Sequence, residues 1–338
     1  MIKVFIDPAD DILYKSFYIY GLEQMFGKRN VCFSPKYFED LSKKSRNTKS
    51  MRFVTKDGLA IKRYVISCND SYNIIEELYN WCDVYGSVNA NRALTANRFY
   101  DKLVSLCPSF ALKCWNPIEI MFHCITNLPV CQSNYKKYLG KHKRLLQRQK
   151  YSEYCSLHES LDKYVFTCST LWYNDEWNKN DEGVNLSRAH FIRACKSIKE
   201  LCFEGGLVSS VSTRSSDDLF QDCLTYGVTT NQWLGKTKQS MCVFNTPAFW
   251  KCHGWKLGEY MALGKAIIST PLSNDLPCPL IHGENIWFVE NNEQSMREAV
   301  ILLMNDSKLR QRLEQGISTY WEQYGTPQAS LRLLGIEQ

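Results

Sequence analysis

The sequence predicts an α/β fold divided into two domains, and three observations carry that prediction. The chain has 338 residues, past the ~250–300 at which a single hydrophobic core stops growing. Short apolar runs of strand character alternate with segments spaced as helices. The alternation restarts near residue 164, which puts a boundary in 155–163. The expected units are 1–160, 161–320 and a C-terminal helix, 321–338, that packs back toward the first domain. Hydrophobic residues at 44% and aromatics at 13% suffice for a core in each part and argue against a chain disordered throughout.

Residues 2–6 read as a buried strand, and 7–11, Asp-Pro-Ala-Asp-Asp, as the loop that leaves it. Residues 11–26 place aromatic and aliphatic positions along one side of a helix. The stretch 43–52, rich in Lys, Ser, Asn and Arg, reads as an exposed loop. Strand patterns follow at 63–68, 83–86 and 103–106, with helical spacing over 72–80. In the second half strands are expected at 164–170, 207–211, 241–244, 267–270 and 285–289. Helices are expected over 188–200, near 217–226, over 293–303 and over 306–316, the last capped by Gly316. Apolar spacing continues over 320–334.

The most telling segment runs from Val243 to Thr270: a strand, a polar loop containing Gly254, a short helix and a second strand. In α/β proteins this arrangement sets charged side chains at the open end of a parallel sheet, where ligands bind. Glu259 lies in that helix, and a carboxylate there accepts two hydrogen bonds from a vicinal diol such as a ribose. Lys256, three residues earlier, projects from the same side and suits a phosphate; a capping or surface lysine is the plainer reading. His253, just before the helix, is placed to hydrogen-bond a diphosphate or a sugar, and no second His or carboxylate is spaced to make it a metal ligand. Trp250 and Trp255 flank it, either as a pocket wall or as core aromatics.

Composition narrows the function classes. The net charge of +6 arises from 41 basic and 35 acidic residues, so the excess matters only where it is concentrated. It is concentrated in 136–150, where Lys136, Lys137, Lys141, Lys143, Arg144, Arg148 and Lys150 accompany Leu139, Leu145 and Leu146. That segment reads as a solvated helix face, a contact with an anionic membrane surface, or a contact with substrate phosphates. Nucleic acid is not an expected partner, because no zinc-finger spacing, aromatic RNA-binding pattern or helix-turn-helix signal accompanies the charge. The 15 cysteines include no Cys-x-x-Cys pair, which argues against a four-cysteine zinc site or a thioredoxin-type couple. No signal peptide is read at the N-terminus, and no apolar stretch reaches the ~18 residues of a membrane span. A reducing cytosol is the expected compartment. The Gly-x-Gly-x-x-Gly turn of dinucleotide enzymes and the Gly-x-x-x-x-Gly-Lys-Ser/Thr loop are both missing, and no cofactor is expected.

From about 164 to 325 the chain resembles the nucleotide-sugar-binding half of GT-B glycosyltransferases, group 1 or family 4-like, which are built from two Rossmann-like domains facing each other across a cleft. The likeness is carried by 254–268, Gly-Trp-Lys-Leu-Gly-Glu-Tyr-Met-Ala-Leu-Gly-Lys-Ala-Ile-Ile. This looks like the family's Glu, small-residue helix turn, Gly, Lys or Arg, Pro or Ala, and buried strand. Gly283-Glu284-Asn285-Ile286 resembles the turn before the family's last strand, and the helices over 293–316 resemble its tail. The resemblance implies that Glu259 binds the ribose of a nucleoside-diphosphate sugar, and that the first domain binds a saccharide or lipid-linked saccharide acceptor. Lys251 stands eight positions before Glu259, where retaining members carry a first Glu, so retention and inversion are both compatible with the sequence.

Without a metal, charge developing on the leaving diphosphate falls to cationic side chains and helix N-termini. Besides Lys256, Gly254 and Trp255, the candidates around the donor are Arg214, just past the strand at 207–211, Arg193, and Asn285. Arg188 and Arg193 lie five residues apart and cannot share one helix face. Asp10 and Asp11, just past the first strand, are the best-placed acceptor bases, with Asp7, Asp70 and His123 behind them. The loop with Trp172, Asn174, Asp175, Glu176 and Asn178 mixes polar and aromatic groups, as sugar recognition does and as a solvated lid also does. A non-catalytic nucleotide- or sugar-binding protein would share Glu259 and Lys256 without needing a base across the cleft.

Overall fold

The computed structural model describes residues 2–9, 12–130, 135–155, 159–172, 183–209 and 215–337. In the first half the elements are β1 (Lys3–Ile6), α1 (Ile12–Phe26), β2 (Val31–Phe33), α2 (Lys43–Arg46), β3 (Ser50–Asp57), β4 (Ala60–Ser67), α3 (Glu76–Trp81), β5 (Val84–Ser87) and β6 (Leu103–Ser105). The helices α4 (Pro117–Asn127), α5 (Tyr135–Leu146) and α6 (Tyr151–Cys155) follow. The six strands form one sheet in the order β2-β1-β3-β4-β5-β6, in which β3 alone runs against the others.

The expected exposed loop at 43–52 is corrected here: it holds α2 and the start of β3. Its charges misled because two of them are spent inside. Arg52 is wholly buried, with Nε donating to Asp7 Oδ2 at 3.0 Å and its Nη atoms donating to the carbonyls of Ser45 and Arg46, each at 2.9 Å. Arg46 grips the same carboxylate through Nη2 to Oδ1 at 2.6 Å and Nε to Oδ2 at 3.0 Å. The helix expected at 11–26 forms as α1, but it is buried on nearly every side rather than along one face. The reason is that α1 lies between the first sheet, α5 and the chain's last helix.

The second half contains β7 (Tyr164–Thr170), α7 (Val184–Lys196), β8 (Cys202–Val208), β9 (Leu224–Thr225), α8 (Thr230–Gln239), β10 (Val243–Asn245), α9 (Trp255–Ala262), β11 (Ile267–Ser269) and β12 (Trp287–Phe288). It closes with α10 (Glu293–Asn305), α11 (Ser307–Tyr320) and α12 (Pro327–Leu333). The strands make two parallel sheets, β7-β8-β9 and β10-β11-β12. They meet where Met241 N donates to Tyr164 O at 2.8 Å and Phe166 N to Ser240 Oγ at 2.9 Å. The spatial order is therefore β9-β8-β7-β10-β11-β12, that of a doubly wound fold, with the direction of winding reversing between β7 and β10. The fold is mixed α/β with two sheet-bearing regions, as the sequence predicts of a two-domain GT-B-like protein.

Three local expectations change. The strand placed at 207–211 runs from Cys202 to Val208; β9 and α8 were not expected at all. Gly316 does not cap a helix but lies inside α11, where an added Cβ would come within 2.2 Å of the Glu284 carbonyl oxygen. It is small so that α11 can press on the turn before β12.

The two halves are in close contact. α12 lies on α1, and Leu331, Leu334 and Ile336 join the core of the first half. α9 rests on the segment after β6, where a Cβ on Gly258 would meet the Pro108 carbonyl oxygen at 2.1 Å. Because the obstacle is backbone, Gly258→Ala is expected to cost about 1–3 kcal/mol of stability by overpacking. Denaturant unfolding checks this, and an unchanged midpoint would mean that the seam gives way freely.

Candidate functional site

Winding reverses between β7 and β10, the place where doubly wound folds bind ligands, and two cations reach the carboxyl end of β7 from different elements. Lys256, in the first turn of α9, donates from Nζ to the Cys168 carbonyl and to Ser169 Oγ at 2.8 Å, both at the end of β7. Arg188, on α7, donates from Nη1 to the Thr170 carbonyl at 3.0 Å. Among the described residues neither has a carboxylate ion-pair partner. Burial, reinforced by the Arg188 charge, pulls the Lys256 ammonium down to about 8. Burial likewise lowers the Arg188 guanidinium to about 10. The two half-buried cations have the Glu259 carboxylate as the nearby opposite charge, which balances one of them, and an anion bound beside them would balance the other.

Glu259 lies one turn on from Lys256 and is buried. Its Oε1 accepts the Tyr154 hydroxyl of α6 at 2.9 Å. Burial raises its pKa, opposed by the Tyr154 hydrogen bond and the charges of Arg148 and Lys256. Lys256 and Glu259 thus do share one side of α9, the first reaching β7 and the second reaching α6. Aromatic rings surround them: Trp233 and Tyr260 stack with centroids 6.1 Å apart, and Lys256 Nζ lies 6.0 Å from the Trp233 ring centroid.

Trp255 opens α9 and is held between the halves, edge-on to Tyr14 at 4.6 Å and beneath the Arg148 guanidinium at 5.2 Å. Arg148 also lines a cleft of about 730 Å³ with Lys113, Lys150, Glu153, Thr230 and Asn231. The side chains of Gln149 and Asn231 bridge that cleft from opposite halves. Gly254 is the N-cap of α9 and has no side chain to cap it; an added Cβ there would have space, its nearest neighbour being Ala248 Cβ at 3.8 Å. The loop before it carries two successive non-glycine residues in the left-handed region, Trp250 at φ 56° and Lys251 at φ 57°, a strain typical of ligand loops.

His253 is buried at the seam. Its backbone N–H donates to Asn89 Oδ1 at 2.7 Å, and that oxygen also accepts Asn274 Nδ2 at 3.1 Å. Burial holds its imidazole at about 4, hence neutral at physiological pH, and among the described residues Nε2 has no hydrogen-bond partner. Nearby, Arg92 N donates to Asp275 Oδ2 at 2.7 Å and Asp275 N to the Ala90 carbonyl at 2.7 Å, which latches the loops of the two halves together.

The other candidates lie elsewhere. Arg193 is spent on Asp222, to which it donates at 2.7 and 2.8 Å, and on the Leu219 carbonyl. Asn285 closes its own turn by accepting Ile281 N at 2.8 Å. Asp10, Asp11 and Arg214, with Asn174, Asp175, Glu176 and Asn178, lie outside the described residues. Asp7 is saturated: burial pushes its carboxyl upward, and the Arg46 hydrogen bond, the Arg52 charge and the Ala9 N–H outweigh it to leave the pKa below the ordinary value. Sequence reasoning missed Tyr154 as the partner of Glu259, 105 positions away, because no pattern links such positions. It assigned Arg148 to a surface segment, and it weighed Arg188 only against Arg193.

Fold and site together define an α/β protein with two cations and a buried carboxylate at the switch point of its second half. No family model matches the chain, and no curated protein matches it. Solved structures do. One is the C-terminal domain of a glycosyl transferase group 1 family protein, LpcC, from Francisella tularensis, at 15% identity and TM-score 0.33 over 48% of this chain and 86% of that one. A glycosyltransferase from Rickettsia africae matches at 12% identity and TM-score 0.43, over 77% of this chain and 66% of that one. HepE of Anabaena, solved with UDP, matches at 10% identity and TM-score 0.42, over 77% of this chain and 64% of that one.

Proposed function

We propose that the protein is a metal-independent glycosyltransferase that takes its sugar from a nucleoside diphosphate. The observation that carries this reading is the Lys256–Arg188 pair at the carboxyl end of β7, beside the buried carboxylate of Glu259. A diphosphate seated there would neutralise the two cations, and they would in turn stabilise the charge that grows on it as the sugar leaves. Glu259 has Oε1 engaged by Tyr154, and a ribose hydroxyl would donate to its other oxygen. Trp255 and Arg148 would wall the donor from the acceptor side. The acceptor, a saccharide or lipid-linked saccharide in bacterial surface polysaccharide synthesis, would approach from the first half, with Asp10 or Asp11 taking its proton if the reaction inverts. The family 4-like assignment, a cytoplasmic location and a membrane partner for 136–150 belong to the same reading. Neutral His253 would act as a hydrogen-bonding group, not as a cation.

The test is a thermal-shift titration with UDP, GDP, ADP and CMP, with and without magnesium, followed by incubation of the matching sugar nucleotides with saccharide acceptors. One diphosphate is expected to raise the unfolding temperature without metal. Glu259→Ala is expected to weaken that ligand by about 1–3 kcal/mol, the cost of hydrogen bonds to a charged group. Unchanged affinity removes the ribose role. Tight binding without transfer to any acceptor would favour the non-catalytic binding protein, and no binding would remove the donor site.

A further inference from the structure

We propose that α4 and α5 form a docking surface for an anionic lipid bilayer. α4 is amphipathic in reverse. It buries Ile120 and Asn127, whereas Ile118, Met121, Phe122 and Ile125 are 73%, 58%, 61% and 63% exposed. Leu128, 42% exposed, continues the stripe. Spacings of three and four residues gather these side chains on one side of the helix. A contiguous apolar ridge of this kind on a soluble surface marks an interaction site.

The occupant follows from charge. α5 packs beside α4, joined by the Tyr138 hydroxyl donating to the Cys124 carbonyl at 2.9 Å. Of the leucines in this segment, Leu145 is buried, whereas Leu139 and Leu146 are exposed, as are Lys137, Lys143 and Arg144. From residue 120 to residue 150 the sequence contains no Asp or Glu. The acidic residue of α4, Glu119, is paired with Lys28 at 2.7 Å, and an apolar ridge beside a cationic helix matches a bilayer interface, where acyl chains receive the apolar side chains and anionic headgroups receive Lys and Arg. No described helix is long and apolar enough to cross a membrane, so α4 would lie in the interface plane. The inference deepens the membrane partner given above to 136–150 and rests on that part of the reading; it is read on lipid and the donor site on nucleotide, so the two fail separately.

The experiment sediments the full-length chain with vesicles of phosphatidylcholine alone or of equimolar phosphatidylcholine and phosphatidylglycerol. Binding is expected on the anionic vesicles and is expected to weaken as salt rises. Phe122→Ser with Ile125→Ser is expected to lower the partition coefficient at least about tenfold by removing inserted apolar area. Lys143→Ser with Arg144→Ser is expected to lower it by about tenfold on anionic vesicles only. Both double variants are expected to keep the wild-type unfolding midpoint, because every changed side chain is exposed. Absence of wild-type binding to the anionic vesicles, or equal binding by all three proteins, overturns the proposal. A dimer in light scattering that Ile125→Ser dissolves, with no vesicle binding, also overturns it and makes the ridge a protein–protein interface.

Discussion

On the proposed function, replacing Lys256 by Met is expected to lower kcat/KM for the sugar nucleotide by about 10²–10³-fold, the effect of deleting one preorganised charge from a site that would stabilise a leaving group. The substitution also leaves the Cys168 carbonyl and Ser169 Oγ without their donor, at a stability cost of about 1–3 kcal/mol. The two effects are separated by pH. Burial and Arg188 hold the ammonium at about 8, and only the charged form attracts a diphosphate. Donor affinity in the wild type is therefore complete below that value and falls as pH rises through it, since the folded protein must then take up a proton to bind. In Lys256→Met this part of the pH dependence should vanish. A variant that is merely less stable, with wild-type kcat/KM and the same pH profile, would take Lys256 out of the site.

The largest loss of stability is expected at Asp7. Asp7→Ala strands Arg52, which is wholly buried, and releases Arg46; breaking a buried ion pair by deleting one partner costs about 3–5 kcal/mol. Arg52→Met in the Asp7→Ala background should recover part of this, because the uncompensated charge is gone. The pKa of Asp7 lies below its ordinary value, so the network's contribution is complete at neutral pH. It is lost as pH falls through the acid range into the depressed pKa, where the carboxylate is protonated in both states. Urea unfolding at pH 7 and at acid pH measures both effects. A loss below ~1 kcal/mol for Asp7→Ala would show that water reaches Arg52.

Where the sequence was misread, the error came from treating charge as exposure. The stretch 43–52 looked solvated because it is rich in Lys, Arg and Ser, yet Arg52 is an internal strand residue whose partners lie at Asp7, Ser45 and Arg46. The basic run at 136–150 was legible as a helix, and α5 covers Tyr135–Leu146. That its apolar company is the outward face of α4 was not legible, because the spacing of Ile118, Met121, Phe122 and Ile125 fits a core helix equally well. Asn285 and Arg193 were plausible ligand residues by position alone. Their side chains are consumed by a turn and by Asp222.

The sequence by itself determined the α/β alternation, the restart at 164 and the strand, loop, helix and strand that set Lys256 and Glu259 on one side of α9. These follow from local periodicity, which acts over a few residues and is written in the chain. Only the tertiary structure decided what those side chains meet. The pairing of Glu259 with Tyr154, the approach of Arg188 to Lys256 across the β7–β10 reversal, and the Asn89–His253 seam each join distant segments. Such pairings come from how the sheets and helices pack, and packing is a property of the whole surface an element presents, not of the spacing along it.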